Sequence, residues 1–337
     1  MSELKTTYLG LELKNPLIAG ASNLVNNVDN IRKLEDAGIA AIVFKSLFEE
    51  QVQYERAQLQ DELDLYNERH AEMINIHPNL EHAGPKEHLV NIEEAKKAVN
   101  IPVIASLNAV YKETWIEYAK LLEETGVDAL ELNFYWVPRD MNKKGNEIEQ
   151  EQLEFLKAVK DAVKIPVSVK LSPFYANPLN FISELDKAGA DGFVVFNRLF
   201  QPDISTEKQE HVAPFHLSTK EDNRLPLRFA GLLYGNLKGN ICSNSGILDG
   251  DDMIKMLLAG ADCVQVVSTL YKNKFDQVRN MIDGLESWMK DHNYNKLDEF
   301  KGKLSNKSIN DPFIYKRAQY VDILLKSEKI LEKYPMP

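Results

Sequence analysis

Two lysines stand inside otherwise apolar strand-like runs, Lys45 in IVFKS and Lys170 in VSVKLS. An ammonium is costly to bury without an anionic partner. Taken singly, either lysine reads equally well as a snorkelling side chain or as half of an internal ion pair. Together at one rim they point to a bound anion. Near the end of the chain, NSGI at Asn244, followed by Asp249, and VVSTLY at Val266 offer backbone N–H groups and hydroxyls of the kind that hold a phosphate. An NSG triplet also makes ordinary turns, so by itself it is a weak signal. The most informative stretch is DALELNFYWVPRD, Asp128 to Asp140. Its alternation puts Leu130, Leu132 and Phe134 on one face of a strand and Glu131, Asn133 and Tyr135 on the other. A carboxylate, an amide and a phenol in a row do not make an ordinary core.

The elements that must position these residues alternate in period. Thr6 to Lys14 reads as a short hairpin around Gly10, and Pro16 to Ser22 as a buried strand. Asn27 caps a helix that runs to Ala37 and ends at Gly38, before a strand from Ala40 to Ser46. The segment from Leu47 to Lys86 is too long for a bare connector and contains His70, His77 and His82, with His88 just beyond it. These histidines lack the paired spacing of a metal motif and read as solvated loop residues. Helices are then expected over Asn91–Val99, Tyr111–Glu124, Glu147–Val163, Pro178–Ala188, Leu225–Leu233, Asp249–Ala259 and Phe275–Asp291. Between them come strands over Pro102–Leu107, the Asp128 stretch, Pro166–Ser172, Gly192–Arg198, Asn240–Gly246 and Cys263–Thr269, with a second long loop after Arg198.

An internal repeat supports this register. DAGIAAIVF at Asp36, ETGVDALEL at Glu124, KAGADGFVV at Lys187 and LAGADCVQV at Leu258 share one phrase, a glycine helix end followed by a buried strand. Eight strand and helix pairs in strict alternation predict an α/β fold, a TIM (β/α)8 barrel over residues 1–303 with an N-terminal hairpin. Residues 304–337 form a C-terminal helical extension, and an open doubly wound sheet is the runner-up. In a barrel the strand C-termini face one pocket. There they place Gly20, Ala21 and Ser22; Lys45 and Ser46; Ser106 and Asn108; Asn133 and Tyr135; Lys170 and Ser172; Asn197 and Arg198; Asn244, Ser245 and Gly246; and Ser268 and Thr269.

Composition narrows the partners. A formal net charge of -11 over 337 residues, with no block of Lys and Arg, argues against nucleic acid and for a small-molecule substrate. The longest apolar run, Ile39 to Phe44, is far short of the ~18 residues of a membrane span. The N-terminus has no signal-peptide pattern, so a cytoplasmic protein is expected. Cys242 and Cys263 match no zinc spacing and read as buried small hydrophobes, and no metal site is expected.

With these residues placed, the chain resembles the class 1, FMN-dependent dihydroorotate dehydrogenase family from roughly Tyr8 to Lys303. The resemblance rests on YLGLELKNPLIAGAS, IVFKS, ELN, SVKLSP, the FN of VVFNR, SGILDGDDMIKMLLAGADCVQVVSTLY and WMKDHNYNKLDEFKGKL in common order. It implies a barrel, an FMN, a homodimer and a place in pyrimidine biosynthesis. Carried over residue by residue, it places Gly20, Ala21 and Ser22 against the flavin and Lys45, with Ser46 beside it, between flavin and substrate. Asn108, Asn133 and Asn197 become flavin and substrate contacts, with Arg198 on the substrate side. Lys170 stands near flavin N1 and O2, while Ser245, Gly246, Ser268 and Thr269 take the phosphate. Ser245 replaces a Gly of the family, Val267 another Gly, and Ser268 a Thr.

The match breaks where the family reads N-L-S-C-P-N and this chain reads N-F-Y-W-V-P. Trp136 stands at the position of the family's cysteine base, and an indole accepts no proton. Pro138 replaces the motif's second Asn, and Arg198 a Ser. Tyr135 is the weak substitute, since a phenol with its ordinary pKa of ~10 is a poor base at neutrality unless a cation such as Lys45 lowers it. The expected activity is hydride transfer at flavin N5 on a small substrate, with little oxidation of dihydroorotate itself. The alternatives are a Schiff-base aldolase, which also needs a lysine beside a phosphate site, and a non-catalytic flavin-binding barrel.

Overall fold

The computed structural model describes residues 3–50, 52–53, 85–137, 140–325, 328, 331–332 and 334–335. The sequence features at His70, His77, His82 and Pro138 lie outside them. The chain opens on a hairpin of β1 (Thr6–Tyr8) and β2 (Leu11–Leu13), antiparallel with Thr6 opposite Leu13. Next come β3 (Leu17–Ala19), α1 (Val28–Ala37), β4 (Ala41–Val43) and a two-residue strand β5 (Leu47–Phe48). Alternation follows through α2 (Lys86–Ala98), β6 (Val103–Asn108), α3 (Lys112–Glu124), β7 (Ala129–Asn133) and α4 (Gly145–Ala162). It continues with β8 (Val167–Leu171), α5 (Pro178–Lys187) and β9 (Gly192–Val195). A second hairpin, β10 (Asp203–Ser205) with β11 (Glu210–Val212), precedes α6 (Arg224–Leu233) and β12 (Asn240–Asn244). The last elements are α7 (Gly250–Ala259), β13 (Cys263–Val266), α8 (Ser268–Asn273), α9 (Asp276–Asp291) and α10 (Ala318–Leu325).

β3, β4, β6, β7, β8, β9, β12 and β13 pair in parallel, each with the next, and β13 returns to β3. The sheet is a closed (β/α)8 barrel, as the alternation predicts. Three details differ from the sequence reading. The eighth strand stops at Val266, so Ser268 and Thr269 open a short helix instead of ending a strand. Helix α2 begins at Lys86, five positions before the expected Asn91. The second long loop holds the hairpin β10–β11, with Asp203 opposite Val212.

The barrel interior changes character from bottom to top. Ile18, Val43, Ile104, Ala129, Val194, Cys242 and Cys263 fill the lower layers, and Tyr8, Leu9 and Leu13 of the hairpin plug that end. The fit is close: a Cβ at Gly192 would lie 2.7 Å from Leu9 Cδ2. The plugged end is buried. Burial above all pushes the Tyr8 phenol and the Cys263 thiol well above their ordinary ranges. Both cysteines are free and buried.

The repeated phrase locks strand register through two carboxylate positions. Two residues after the helix-end glycine, Asp128, Asp191 and Asp262 accept the backbone N–H of Val103, Val167 and Ile241 at 2.7, 2.8 and 2.8 Å. Each also pairs with a lysine, Lys96 and Lys160 at 2.6 Å and Lys301 at 3.0 Å. Three residues before the glycine, Glu35, Glu123 and Asp186 accept N–H groups of the loops at Asn100, Lys164 and Lys238. These carboxylates satisfy backbone donors that neither helix nor strand can satisfy. Beyond the barrel, Tyr315 packs on Gly231 of α6 and donates to the carbonyl of Leu304 at 2.7 Å, while Arg228 donates to Gln319 at 3.0 Å.

Asp128→Ala strips Val103 N–H of its acceptor and Lys96 of its partner, and is expected to lower stability by about 1–3 kcal/mol. Urea denaturation midpoints check this, with Asp29→Ala as an exposed control. Equal midpoints for the two variants would contradict the register role.

Candidate active site

The pleat of each strand decides what faces the interior, and at the upper layers of β7, β8 and β13 it brings in Glu131, Lys170 and Gln265. All three side chains are buried. Gln265 Nε2 donates to Glu131 Oε2 at 2.5 Å, Lys170 Nζ lies 3.5 Å from Glu131 Oε1, and Lys170 Nζ donates to Gln265 Oε1 at 3.4 Å. The carboxylate and the glutamine amide hold each other tightly, whereas both contacts of the ammonium are long. Lys170 therefore keeps capacity for a further acceptor.

One residue higher the interior becomes an amide row. Asn197 Nδ2 donates to Asn133 Oδ1 at 2.7 Å, and Asn108 Nδ2 donates to the Asn133 carbonyl at 3.1 Å. Asn244 Nδ2 and Ser245 Oγ both donate to the Phe196 carbonyl, at 3.0 and 3.1 Å. Ser245 has φ 79° and Gly246 φ 71°, so the turn after β12 is left-handed at two successive residues. A side chain at Gly246 has no room, because a Cβ there would lie 2.3 Å from the backbone nitrogen of Asn223.

Lys170, Asn197, Arg198, Ser245, Gly246, Ser268 and Ala21 line one cavity of about 140 Å³, together with Gln265, Val267, Ser218, His216 and the Phe200–Phe215 pair. Phe200 and Phe215 stack at 5.3 Å over its mouth. Arg198 donates to the His216 carbonyl at 2.7 Å and sits 4.0 Å from Asp222, so its guanidinium ties the loop before α6. Ser268 Oγ accepts the N–H of Ser218 at 2.9 Å, and Lys272 donates to the Ser218 carbonyl at 2.7 Å. Val267 fills space that a glycine would leave open: a Cβ at Gly20 would lie 2.9 Å from its methyl group.

Asn133, Asn108, Tyr135 and Trp136 line a second, larger cavity of about 580 Å³ that reaches outward between β7, α3 and α4. Tyr135 crosses the mouth, where its hydroxyl accepts the N–H of Phe200 at 3.1 Å. Trp136 turns the other way, with the Lys143 ammonium 4.8 Å from its ring centre and Lys143 itself held by Glu151 at 2.6 Å. Among the described residues the indole Nε1 of Trp136 is buried and has no hydrogen-bond partner, and neither has that of Trp115 in the same wall. An unsatisfied buried donor costs ~1–3 kcal/mol. Asn133 and Asn197, bonded to each other, are the partition between the two cavities.

The remaining residues singled out in the sequence stand off these linings. Lys45 is half-buried beside His88, whose imidazole is held down to about 4 by burial first and by the Lys45 charge second. Ser46 shares a hydrogen bond of 2.6 Å with Ser106. Ser22 Oγ, at the β3 end of the rim, is buried without a partner among the described residues. Thr269 donates to the Leu248 carbonyl at 2.7 Å and so braces α8 against the loop before α7. Sequence reasoning passed over Gln265 as a site residue, although a polar residue inside CVQVV is the same kind of signal as a lysine inside IVFKS. It also passed over Glu49, buried and accepting the N–H groups of Val110 and Tyr111 at 2.7 and 3.2 Å, which fixes the loop into α3.

Against known proteins, a family model described as dihydroorotate dehydrogenase matches residues 3–289. The catalytic subunit of dihydroorotate dehydrogenase B (NAD(+)) of Methanocaldococcus jannaschii is 28% identical over 310 residues, covering 89% of this chain and 97% of that protein. The Pyrococcus abyssi protein of the same description is 28% identical over 308 residues, covering 89% and 98%. The NAD-dependent dihydropyrimidine dehydrogenase subunit PreA of Escherichia coli K12 is 24% identical over 324 residues, covering 90% of this chain and 77% of that protein.

Glu131 and Lys170 depend on each other, because removing either leaves a buried charge uncompensated. Glu131→Gln and Lys170→Met are each expected to cost about 3–5 kcal/mol, and the double variant clearly less than their sum. Urea unfolding of the four proteins gives the coupling, and strict additivity would refute it.

Proposed function

The chain belongs to the dihydroorotate dehydrogenase family and is an oxidoreductase, and from that premise we propose that it binds FMN and exchanges hydride with a small ring substrate other than dihydroorotate. The observation that carries the reading is the buried ammonium of Lys170, loosely held by Glu131 and Gln265 at the wall of a cavity closed by the Ser245–Gly246 turn. The donor set suits the group. Lys170 has room for another acceptor, and the left-handed turn at Ser245 and Gly246 bends the backbone around the cavity. Val267 narrows this site without removing a donor.

FMN, when bound, would supply the two-electron chemistry of its isoalloxazine ring. Lys170 would hold the N1 and O2 side of the ring, where its charge favours the reduced form. Ser245, Gly246 and Ser268 would hold the phosphate, and Asn197 would meet the ring from the partition. Asn133 and Asn108 would present amides to the substrate from the other side. Arg198, engaged with the His216 carbonyl and Asp222, closes the loop over the site more than it awaits a substrate carboxylate. Tyr135 has its oxygen committed to Phe200 N–H and keeps its own proton to donate. The barrel over residues 1–303 would be the catalytic unit, residues 304–337 an extension, and a cytoplasmic homodimer the working form. Among the described residues no helix is long and apolar enough to cross a membrane.

The purified protein is expected to be yellow, with about one FMN per chain. A colourless protein that also takes up no added FMN would refute the reading. Lacking the thiol base, which typically contributes ~10²–10⁴-fold, it is expected to form little orotate from dihydroorotate. Trp136→Cys should give a measurable but incomplete gain, and robust orotate formation by the unmodified protein would overturn the substrate half of the proposal.

A further inference from the structure

Lys170 and Gln265 line the smaller cavity, whereas Glu131, fully buried, lines neither cavity. Among the described residues Glu131 is the carboxylate within ion-pair distance of the Lys170 ammonium, at 3.5 Å. A carboxylate and an ammonium left to themselves close to about 2.7–2.9 Å. Gln265 keeps this pair apart. Its amide draws Glu131 Oε2 to 2.5 Å, and its own carbonyl oxygen accepts from the ammonium at 3.4 Å. Glu131 Oε1 is left buried with no hydrogen bond among the described residues.

A buried counter-charge acts without contact, because its low-dielectric surroundings screen it weakly. At 3.5 Å Glu131 offsets part of the Lys170 charge and leaves the ammonium N–H groups free for an acceptor in the cavity. With a neutral side chain at position 131, Lys170 would present its whole charge there. With Gln265 unable to hold the carboxylate, Glu131 would close on the ammonium and the cavity would face a nearly neutral pair. The backbone cannot relax this spacing. Asn133 lies opposite Lys170 in the β7–β8 ladder, which fixes Glu131, and Gln265 lies opposite Ile18 in the β13–β3 ladder. The offset is therefore set by one side-chain hydrogen bond, from Gln265 to Glu131.

We propose that Glu131 is a positioning residue that sets how much positive charge Lys170 presents to the cavity, and that Gln265 fixes the setting by holding the carboxylate back. The inference rests on the FMN reading above, in which the charge of Lys170 favours reduced over oxidised flavin. Glu131 touches no ligand on this account and acts only through Lys170. Removing the carboxylate and releasing it then have opposite consequences, the first strengthening the preference for reduced FMN and the second weakening it.

The test is the reduction potential of FMN on the full chain, measured by absorbance against reference dyes, together with the affinity of each protein for oxidised FMN. The potential reports the ratio of the affinities for reduced and oxidised FMN. Glu131→Gln should raise that ratio about tenfold, which is about 30 mV for a two-electron couple. Gln265→Met should lower it about threefold. A loosened fold weakens both redox states together and gives no pair of opposed shifts. Thermal melts identify variants that fold poorly, and if Glu131→Gln melts early, Glu131→Asp, which draws the carboxylate back by one methylene, is read in its place for a smaller rise. Unchanged potentials in well-folded variants, or shifts of the same sign for Glu131→Gln and Gln265→Met, would overturn the proposal and leave the FMN reading standing. A wild-type chain that takes up no FMN would overturn both.

Discussion

A closed barrel has no exit for a charge placed on its inner wall, and Lys170 is placed there by the pleat of β8. Its ammonium can be tolerated only if neighbouring strands deliver acceptors at the same height. Register supplies them. Asn133 on β7 lies directly opposite Lys170, which sets Glu131 one inward step lower, and β13 brings Gln265 from across the barrel. A one-residue slip of any of the three strands would turn its polar residue outward and leave the others uncompensated. The charge thus specifies the register, and the register brings the amide row of Asn108, Asn133 and Asn197 to the rim beside the charge.

The same logic explains why the two ends of the barrel look unlike. At the lower end the hairpin plug and the inward apolar residues form a buried cluster, and the polar work is done on the outer rim by Asp128, Asp191 and Asp262, each taking one strand N–H and one lysine. At the upper end the loops hold their own carboxylates in use. Asp249, Asp251 and Asp252 come within 4.8 Å of one another, yet Lys220 pairs with the first, Lys255 lies 2.5 Å from the second, and Asn223 donates to the third at 3.0 Å. Those carboxylates are consumed in fixing α6, α7 and the turn at Gly246, which leaves the ammonium of Lys170 as the loosely held charge at the cavity wall.

Much of this was readable from the chain alone, for a physical reason. Strand and helix periods, glycine helix ends and the repeated phrase are local signals, and they give the barrel, its eight strands and the buried Lys170. What the sequence hid is non-local. That Thr269 faces the Leu248 carbonyl and not the cavity follows from β13 ending at Val266, a boundary set by how α8 packs. That Lys45 stands off both cavities beside His88 depends on how α2 brings His88 against Phe44. The commitment of Arg198 to a carbonyl of its own loop could not be read from spacing, because that loop carries a hairpin the sequence had left unassigned.

The loop after β7 carries the pleat of its strand beyond the last ladder hydrogen bond. β7 ends at Asn133, and the alternation of its pleat continues into the loop: Phe134 packs outward on Trp115, Tyr135 reaches across the mouth to Phe200, and Trp136 goes outward again toward Lys143. A small thiol at position 136 could sit at the mouth without filling the outer wall. An indole there must bury most of its ring, and the space between α3 and α4, floored by Phe155 and Ile148, is where that burial is available. The ring lodges there against the Lys143 ammonium, with its Nε1 buried. An indole N–H donates and its nitrogen accepts no proton, so the side chain at position 136 supplies no base to the barrel mouth.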